Sequence, residues 1–349
     1  MIEIFSTQES EKWDEIVCSM EQHDVYYLSG YVKAFEHHGD GKAQLIYMHN
    51  EQGKAIQVVM KRDIAKHAMF CDDLQPEQYY DVVTPYGYGG ILMEGENTEA
   101  LLKEYEDFCM SENIVCEFVR FHPMLCNSDT LTDYYKVIPL GDTVFMDTTS
   151  EEIIWQNISS KNRNMIRKAQ KSGIEIGYGR EEWMLDTFMD IYNQTMVRDE
   201  AEEYYFFKRD FYESIFHDLA DRALWFYAKL DGKVIAMSIF LFTNGRMHYH
   251  LSGSLKEYRN LAPSNLLLYE AAVWANKQGL NSLHLGGGVG SSHDSLYSFK
   301  KAFNRGEDTH FAIGQKMYLP DVYDRLVEIR TKKDATFHTE TRFFPKYRG

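Results

Sequence analysis

The spacing of apolar positions changes period several times along the chain, and the changes mark its elements. Residues 43–50 and 54–62 are apolar runs separated by a polar turn ending in Gly53-Lys54, and 224–230 and 233–242 repeat the arrangement around Asp231-Gly232-Lys233. Each pair reads as a β-hairpin, because a glycine near the turn permits the positive φ that tight hairpins need. The 180 residues between the hairpins fit two related domains in tandem.

Helical spacing at 7–20 and 29–38 precedes the first hairpin; a helix at 98–111 and an alternating strand at 113–121 follow it. The second half predicts helices at 150–158, 160–172, 181–199 and 208–220, then strands at 224–230, 233–242 and 246–252. A helix at 264–278, a strand at 281–285 and a helix at 294–303 complete it. Asp147-Thr148-Thr149-Ser150-Glu151-Glu152 offers an N-cap for a new helix, so the boundary falls near 141–150 and the expected domains are 1–146 and 147–349. Each half thus places helices before its hairpin and a strand–helix alternation after it.

Composition narrows the class. Apolar residues are 44% and charged residues 26% of 349, with only 7 Pro, which excludes a disordered or collagenous chain. The net charge of −16 argues against DNA and other polyanions. That charge is uneven: residues 1–150 hold 10 basic and 27 acidic side chains, 151–299 hold 16 and 19, and 300–349 hold 11 and 7. An anionic ligand therefore belongs to the second half. Five cysteines without C-x-x-C spacing predict neither a disulfide framework nor a metal centre. No basic leader and no run of about 18 apolar residues is present, so no transmembrane segment is expected and the expected compartment is the cytoplasm.

Four stretches carry candidate chemistry. Lys161 to Lys171 holds five basic residues and no acidic one; Arg163, Arg167 and Lys171 share a helical face that suits phosphate or simply water. Arg259-Asn260-Leu261-Ala262-Pro263-Ser264-Asn265 leads into an apolar helix, whose N-terminal N–H groups suit an anion or an ordinary cap. Leu285-Gly286-Gly287-Gly288-Val289-Gly290 fits no dinucleotide fingerprint, but Asp294 caps the helix after it. There Leu296, Phe299 and Phe303 form a stripe, and Lys300 lies roughly 70° from its centre at about 100° per residue. A lysine on the edge of a buried face either snorkels or meets an anion.

Weaker candidates are Arg198 ahead of Tyr204-Tyr205-Phe206-Phe207, and His248 with His250, two apart on a strand and so expected on one face. The turn-rich Thr84-Pro85-Tyr86-Gly87-Tyr88-Gly89-Gly90 lines a cleft or merely connects strands.

Several of these segments, in their order, resemble the FemAB-type peptidyl (aminoacyl) transferases and the related GNAT-like acyltransferases with a BioF2-like acetyltransferase domain. The resemblance rests on Pro85 to Gly90, Asn162-Arg163-Asn164-Met165-Ile166-Arg167-Lys168-Ala169, Tyr249 to Ser254, Ala262-Pro263-Ser264-Asn265, and Leu285-Gly286-Gly287-Gly288 leading to Phe299-Lys300. It implies an α/β fold of two tandem GNAT-like acyltransferase domains, each a mixed sheet flanked by helices, and amide formation on an amine of a small molecule or a cell-envelope or glycan precursor. It further implies Lys300 as the catalytic residue, and a substrate site containing Arg163, Arg198, Tyr205, Tyr249, Gly287 and Gly288. Arg259, Ala262, Ser264 and Asn265 match the pyrophosphate loop R-x-x-G-x-G/A, with Ala262 and Ser264 in place of glycines. Acyl-CoA, such as acetyl-CoA, is then a co-substrate, with no tightly bound cofactor and no metal. Two alternatives stand beside this reading: an aminoacyl-tRNA-dependent peptidyltransferase, disfavoured by the acidic first half, and a non-catalytic domain that binds a phosphorylated envelope precursor.

Overall fold

Both hairpins form where the alternation places them, each in the middle of a mixed sheet. The computed structural model describes residues 1–349. The chain begins with β1 (Ile2–Phe5), α1 (Ser10–Cys18) and α2 (Ser29–His38), followed by the hairpin β2 (Lys42–His49) and β3 (Gly53–Asp63). Next come β4 (Tyr80–Val83), β5 (Leu92–Gly95), α3 (Thr98–Ser111) and β6 (Ile114–Arg120).

Then follow β7 (Lys136–Asp147), α4 (Glu151–Asn157), α5 (Ser160–Lys171), β8 (Glu175–Gly179), α6 (Trp183–Arg198) and α7 (Arg209–His217). The second hairpin is β9 (Ala223–Leu230) with β10 (Lys233–Thr243), and β11 (Arg246–Ser254), α8 (Pro263–Lys277), β12 (Ser282–Gly286) and α9 (Ser295–Lys301) complete that region. β13 (Thr309–Met317) and α10 (Pro320–Lys333) end the regular structure. No helix is long and apolar enough to cross a membrane.

Two compact units result: residues 1–140 with 311–349, and residues 141–310. Their sheets have one topology. In the first the order is β1-β2-β3-β4-β6-β13, and in the second β8-β9-β10-β11-β12-β7. Each has a single parallel pair, β4 with β6 and β11 with β12. A helix joins the members of each pair, α3 in one unit and α8 in the other, as a parallel crossover requires. The similar runs at 43–62 and 223–242 are thus equivalent hairpins of two copies of one fold.

The expected division at 147 differs from this arrangement at the closing strands. The sixth strand of the first sheet is β13, which pairs antiparallel with β6 from Ile313–Arg120 to Met317–Cys116. That of the second is β7, antiparallel to β12. Residues 311–349, assigned from sequence to the second domain, therefore complete the first. Their apolar side chains explain why: Ala312 and Tyr318 enter a core with Val59, Val82 and Val119, and Tyr323, Leu326 and Tyr347 pack with Phe70, Val115 and Cys116. The second unit has its own core, in which Ile166 and Ala169 of α5 and Leu266, Leu267 and Ala271 of α8 cover Phe226, Ala236 and Phe240.

Candidate active site

The second unit is opened by the way β11 leaves β12. Their parallel pairing covers only Arg246–Ser282, Met247–Leu283 and His248–His284, although β11 continues to Ser254. Two features hold its far end elsewhere. The N–H of Ser254 donates to Thr195 Oγ1 at 3.0 Å and its carbonyl accepts from Arg198 Nη1 at 2.7 Å, so α6 takes the backbone groups of this residue. Gly253 makes that approach possible, because a Cβ there would lie 2.9 Å from the backbone of Ile191 and Tyr192. The edge of β11 beyond His248 thus has no ladder partner in β12.

A β-bulge sits at the point of departure. The β10–β11 register passes from Phe240–Tyr249 to Ile239–Leu251, which leaves His250 as the extra residue. His248 and His250 therefore do not share a face as simple alternation predicts. Burial, with His248 nearby, holds the His250 ring down to about 3, so it is neutral at physiological pH. Beyond the bulge Ser252 pairs with Ser238, and their hydroxyls lie 2.9 Å apart. Burial raises the Tyr249 phenol, partly offset by hydrogen bonds with Ser252 and Ser238. These three hydroxyls form a polar patch in a face otherwise made of Ala236, Phe240 and Met247.

At the start of α8, Ala262 has φ 59°, the left-handed conformation in which glycine is ordinarily found. The glycine is missing from the sequence but its backbone geometry is present. Pro263 occupies the first turn, no side chain caps it, and its N–H groups point out of the helix end. Asn265 Nδ2 donates to Asn162 Oδ1 at 2.6 Å, while the buried Asn162 Nδ2 has no partner. Lys168 Nζ donates to the Asn260 carbonyl at 2.5 Å and holds the loop to α5. Arg259 is exposed and Ser264 half-buried.

The glycine loop after β12 is shaped by close contacts. A Cβ on Gly287 would meet the Asp142 carbonyl at 2.8 Å, and one on Gly288 would meet Ser292 O at 2.1 Å and Asp294 Oδ1 at 2.3 Å. Asp294 caps α9 as expected, accepting from Tyr297 N at 2.8 Å and from Val289 N at 3.1 Å. Burial opposes its ionisation, but these bonds keep the carboxyl below the usual range. Lys300 is 9% exposed and its Nζ donates to the Gly287 carbonyl at 2.7 Å. Burial brings the ammonium down to about 8, with Asp294 acting in the opposite sense. Asp142 also accepts from His293 Nε2 at 3.0 Å and His310 Nδ1 at 2.8 Å, a clamp on this loop with no signature in local sequence.

Two arginines of the basic helix α5 contact α4. Arg163 Nη1 donates to the carbonyls of Ile158 at 2.9 Å and Trp155 at 3.2 Å, and so caps α4. Arg167 lies over the Trp155 ring at 5.1 Å. Arg198 is fixed between Ser254 and Asp199, and Tyr205 lies in the 203–205 turn with its ring edge-on to Tyr204. The structure thus gathers Tyr249, Ser238 and Ser252 at the departing strand, and Lys300 with Gly287 and Gly288 at the loop. Ser238 and the bulge are additions without a motif, and Asn162, though within a segment of the resemblance, is not singled out there.

In the first unit the equivalent loop after β4 is filled. A Cβ on Gly87 would lie 2.7 Å from both Tyr26 and Tyr31, and one on Gly90 would lie 2.9 Å from Asn127 and Phe121. Tyr27 donates to Gly90 O, and Asn127 to Gly89 O. Pro85 to Gly90 is a packed connection of its own unit.

Residues 159–301 match the family model described as an acetyltransferase (GNAT) domain. No curated protein matches the sequence significantly. Among solved structures, FemX has a TM-score of 0.68 at 15% identity, covering 93% of this chain and 99% of its own. L-PGS from Bacillus licheniformis has 0.58 at 13%, covering 92% and 96%. The C-terminal domain assigned to a lysylphosphatidylglycerol synthetase of Agrobacterium fabrum has 0.54 at 14%, covering 88% and 92%.

Proposed function

We propose that this acyltransferase, FemAB-like in fold and GNAT-type in its second unit, forms an amide on the amine of a small molecule or cell-envelope precursor with an acyl-CoA as donor. The observation that carries the reading is the unpaired edge of β11 beyond His248, with the α8 N-terminus and Lys300 in the same unit. A helix N-terminus flanked by a residue at positive φ is suited to the pyrophosphate of a CoA thioester. The thioester then runs along the strand edge, where main-chain N–H groups meet its carbonyl oxygen.

The amine attacks the carbonyl carbon and a C–N bond forms while negative charge grows on oxygen. Main-chain N–H groups and the Lys300 ammonium, already aimed by its bond to Gly287, stabilise that charge. Collapse breaks the C–S bond, the thiolate takes up a proton, and the nitrogen gives one up. Tyr249 and its serine neighbours offer the nearby hydroxyls through which that proton passes. Arg259, Ser264 and Asn265 serve the donor, and Tyr249, Gly287 and Gly288 border the acceptor. Arg163, Arg198 and Tyr205 support the site from their own contacts.

A second reading is transfer of an aminoacyl group from charged tRNA, favoured by the fold shared with FemX and with a lysylphosphatidylglycerol synthetase domain. The 27 acidic side chains among the first 150 residues oppose a large tRNA footprint. Mass spectrometry of amine acceptors incubated with labelled acetyl-CoA or with charged tRNA separates the two. Label from acetyl-CoA on an acceptor supports the first; label only from charged tRNA replaces it with the second.

A further inference from the structure

A separate cavity of about 520 Å³ lies in the second unit between α6, the β9–β10 hairpin and the residues just after β11. That volume is in the range of small-molecule sites. One wall is aromatic. Trp183 meets Tyr227 edge to face, with centroids 5.3 Å apart and planes at 74°, so the rings make a corner. Tyr227 is held there by the absence of a side chain opposite it, since a Cβ on Gly177 of β8 would lie 2.3 Å from its ring. Trp183 keeps 43% of its surface exposed, although an indole at the first residue of a helix gains more by packing down.

The charges of the cavity are unequally satisfied. Lys233 lies 3.5 Å from Glu257, and Lys229 lies 3.8 Å from Glu175 of the neighbouring strand. Asp190, one turn along α6 from Thr187, accepts only from the neutral amide of Gln194 at 3.0 Å. The lining of the cavity thus includes one carboxylate with no cationic partner, two turns along α6 from Trp183, and two aromatic rings.

We infer that this cavity binds a protonated alkylamine: an ammonium group on an aliphatic stem, its charge on Asp190 and its stem against Trp183 and Tyr227. An ammonium is drawn both to the carboxylate and to ring faces, whereas an anion or a neutral alcohol meets only the stem contacts. Its occupancy is read without any acyl donor.

The test titrates 1,5-diaminopentane into the full chain and follows the Trp183 indole N–H by NMR, the resonance being assigned from a Trp183→Phe sample. A saturable shift is expected, with 1-pentanol and hexanoate binding at least about tenfold more weakly. Asp190→Asn should weaken the diamine about fivefold or more. Glu257→Gln, whose carboxylate already faces Lys233, should change it less than about twofold. No saturable shift, equal binding of hexanoate, or unchanged affinity in Asp190→Asn would each overturn the assignment. Because Asp190 is exposed, the variant's thermal midpoint should match that of the parent, and Asp190→Ser serves as a second variant.

Discussion

Lys300 Nζ donates to the carbonyl of Gly287 at 2.7 Å, so the one buried lysine of α9 is tied to the loop in front of it. Removing one preorganised donor typically costs about 3–4 kcal/mol of barrier. Lys300→Ala is therefore expected to lower kcat about a hundredfold or more while circular dichroism and thermal midpoint stay close to the parent. Parental turnover in the purified variant would remove Lys300 from the chemistry.

The same lysine sets a pH signature. Its folded ammonium titrates near 8, against about 10.4 in an unfolded chain. Between those values the unfolded state binds more protons, so stability rises with pH across that window. In Lys300→Met this rise should vanish when denaturant midpoints are compared from pH 8 to 10. A Lys300-dependent kcat should instead fall as pH passes about 8.

Asn265→Asp separates donor binding from stability. The carboxylate loses the donor to Asn162 Oδ1, but a turned Asn162 amide gives it the unpartnered Nδ2, and a negative charge in the first turn of α8 favours the helix dipole, so the thermal midpoint should hold. The same charge repels a pyrophosphate at that helix end, and KM for acetyl-CoA should increase about tenfold. If KM is unchanged, the CoA phosphates lie elsewhere.

Gly253→Ala places a methyl group 2.9 Å from the α6 backbone, where no side-chain rotation relieves it. We expect a loss of about 1–3 kcal/mol in urea unfolding. Arg198 and Thr195 should also lose their hold on Ser254, and activity should drop with them.

In the first unit Glu117 is wholly buried and accepts from Tyr105, Tyr135, Tyr318 and Gln57. Burial raises its carboxyl, an effect these donors reduce without cancelling. The folded state then keeps its proton longer than the unfolded one, so stability should fall with rising pH from the normal glutamate range up to the folded value. Glu117→Gln, neutral like the protonated acid, should flatten that slope when denaturant midpoints are compared across pH.

Strongly periodic elements are legible in the sequence. Helices 29–38 and 98–111 occur at the predicted residues, and the two hairpins lie within a residue or two of theirs. Short strands such as β4, β5 and β8 are not, because four or five residues give a period of two too little length to show. β13 escapes for another reason: its partner β6 lies almost two hundred residues earlier. The burial of Lys300 at the edge of the apolar stripe and the Asp294 cap of α9 follow from helical geometry alone. The bulge at His250 does not, since one extra residue leaves the local pattern intact and only the opposing strand reveals it. That Arg163 caps α4 is not visible in the sequence, because a basic face and a helix cap look alike until the carbonyls of α4 are placed.

The order in which the closing strands occur along the chain bears on how the protein is made. The first sheet is completed only by β13, which emerges after every element of the second unit has been synthesised. Until then β6 presents an open edge, and Glu117 lacks the hydroxyl of Tyr318. A growing chain can finish its later half before its earlier half, reversing the usual N-terminal-first sequence. A chain that ends at about residue 310 would therefore carry a complete second unit attached to an unfinished first one, with an exposed strand edge free to pair with other chains.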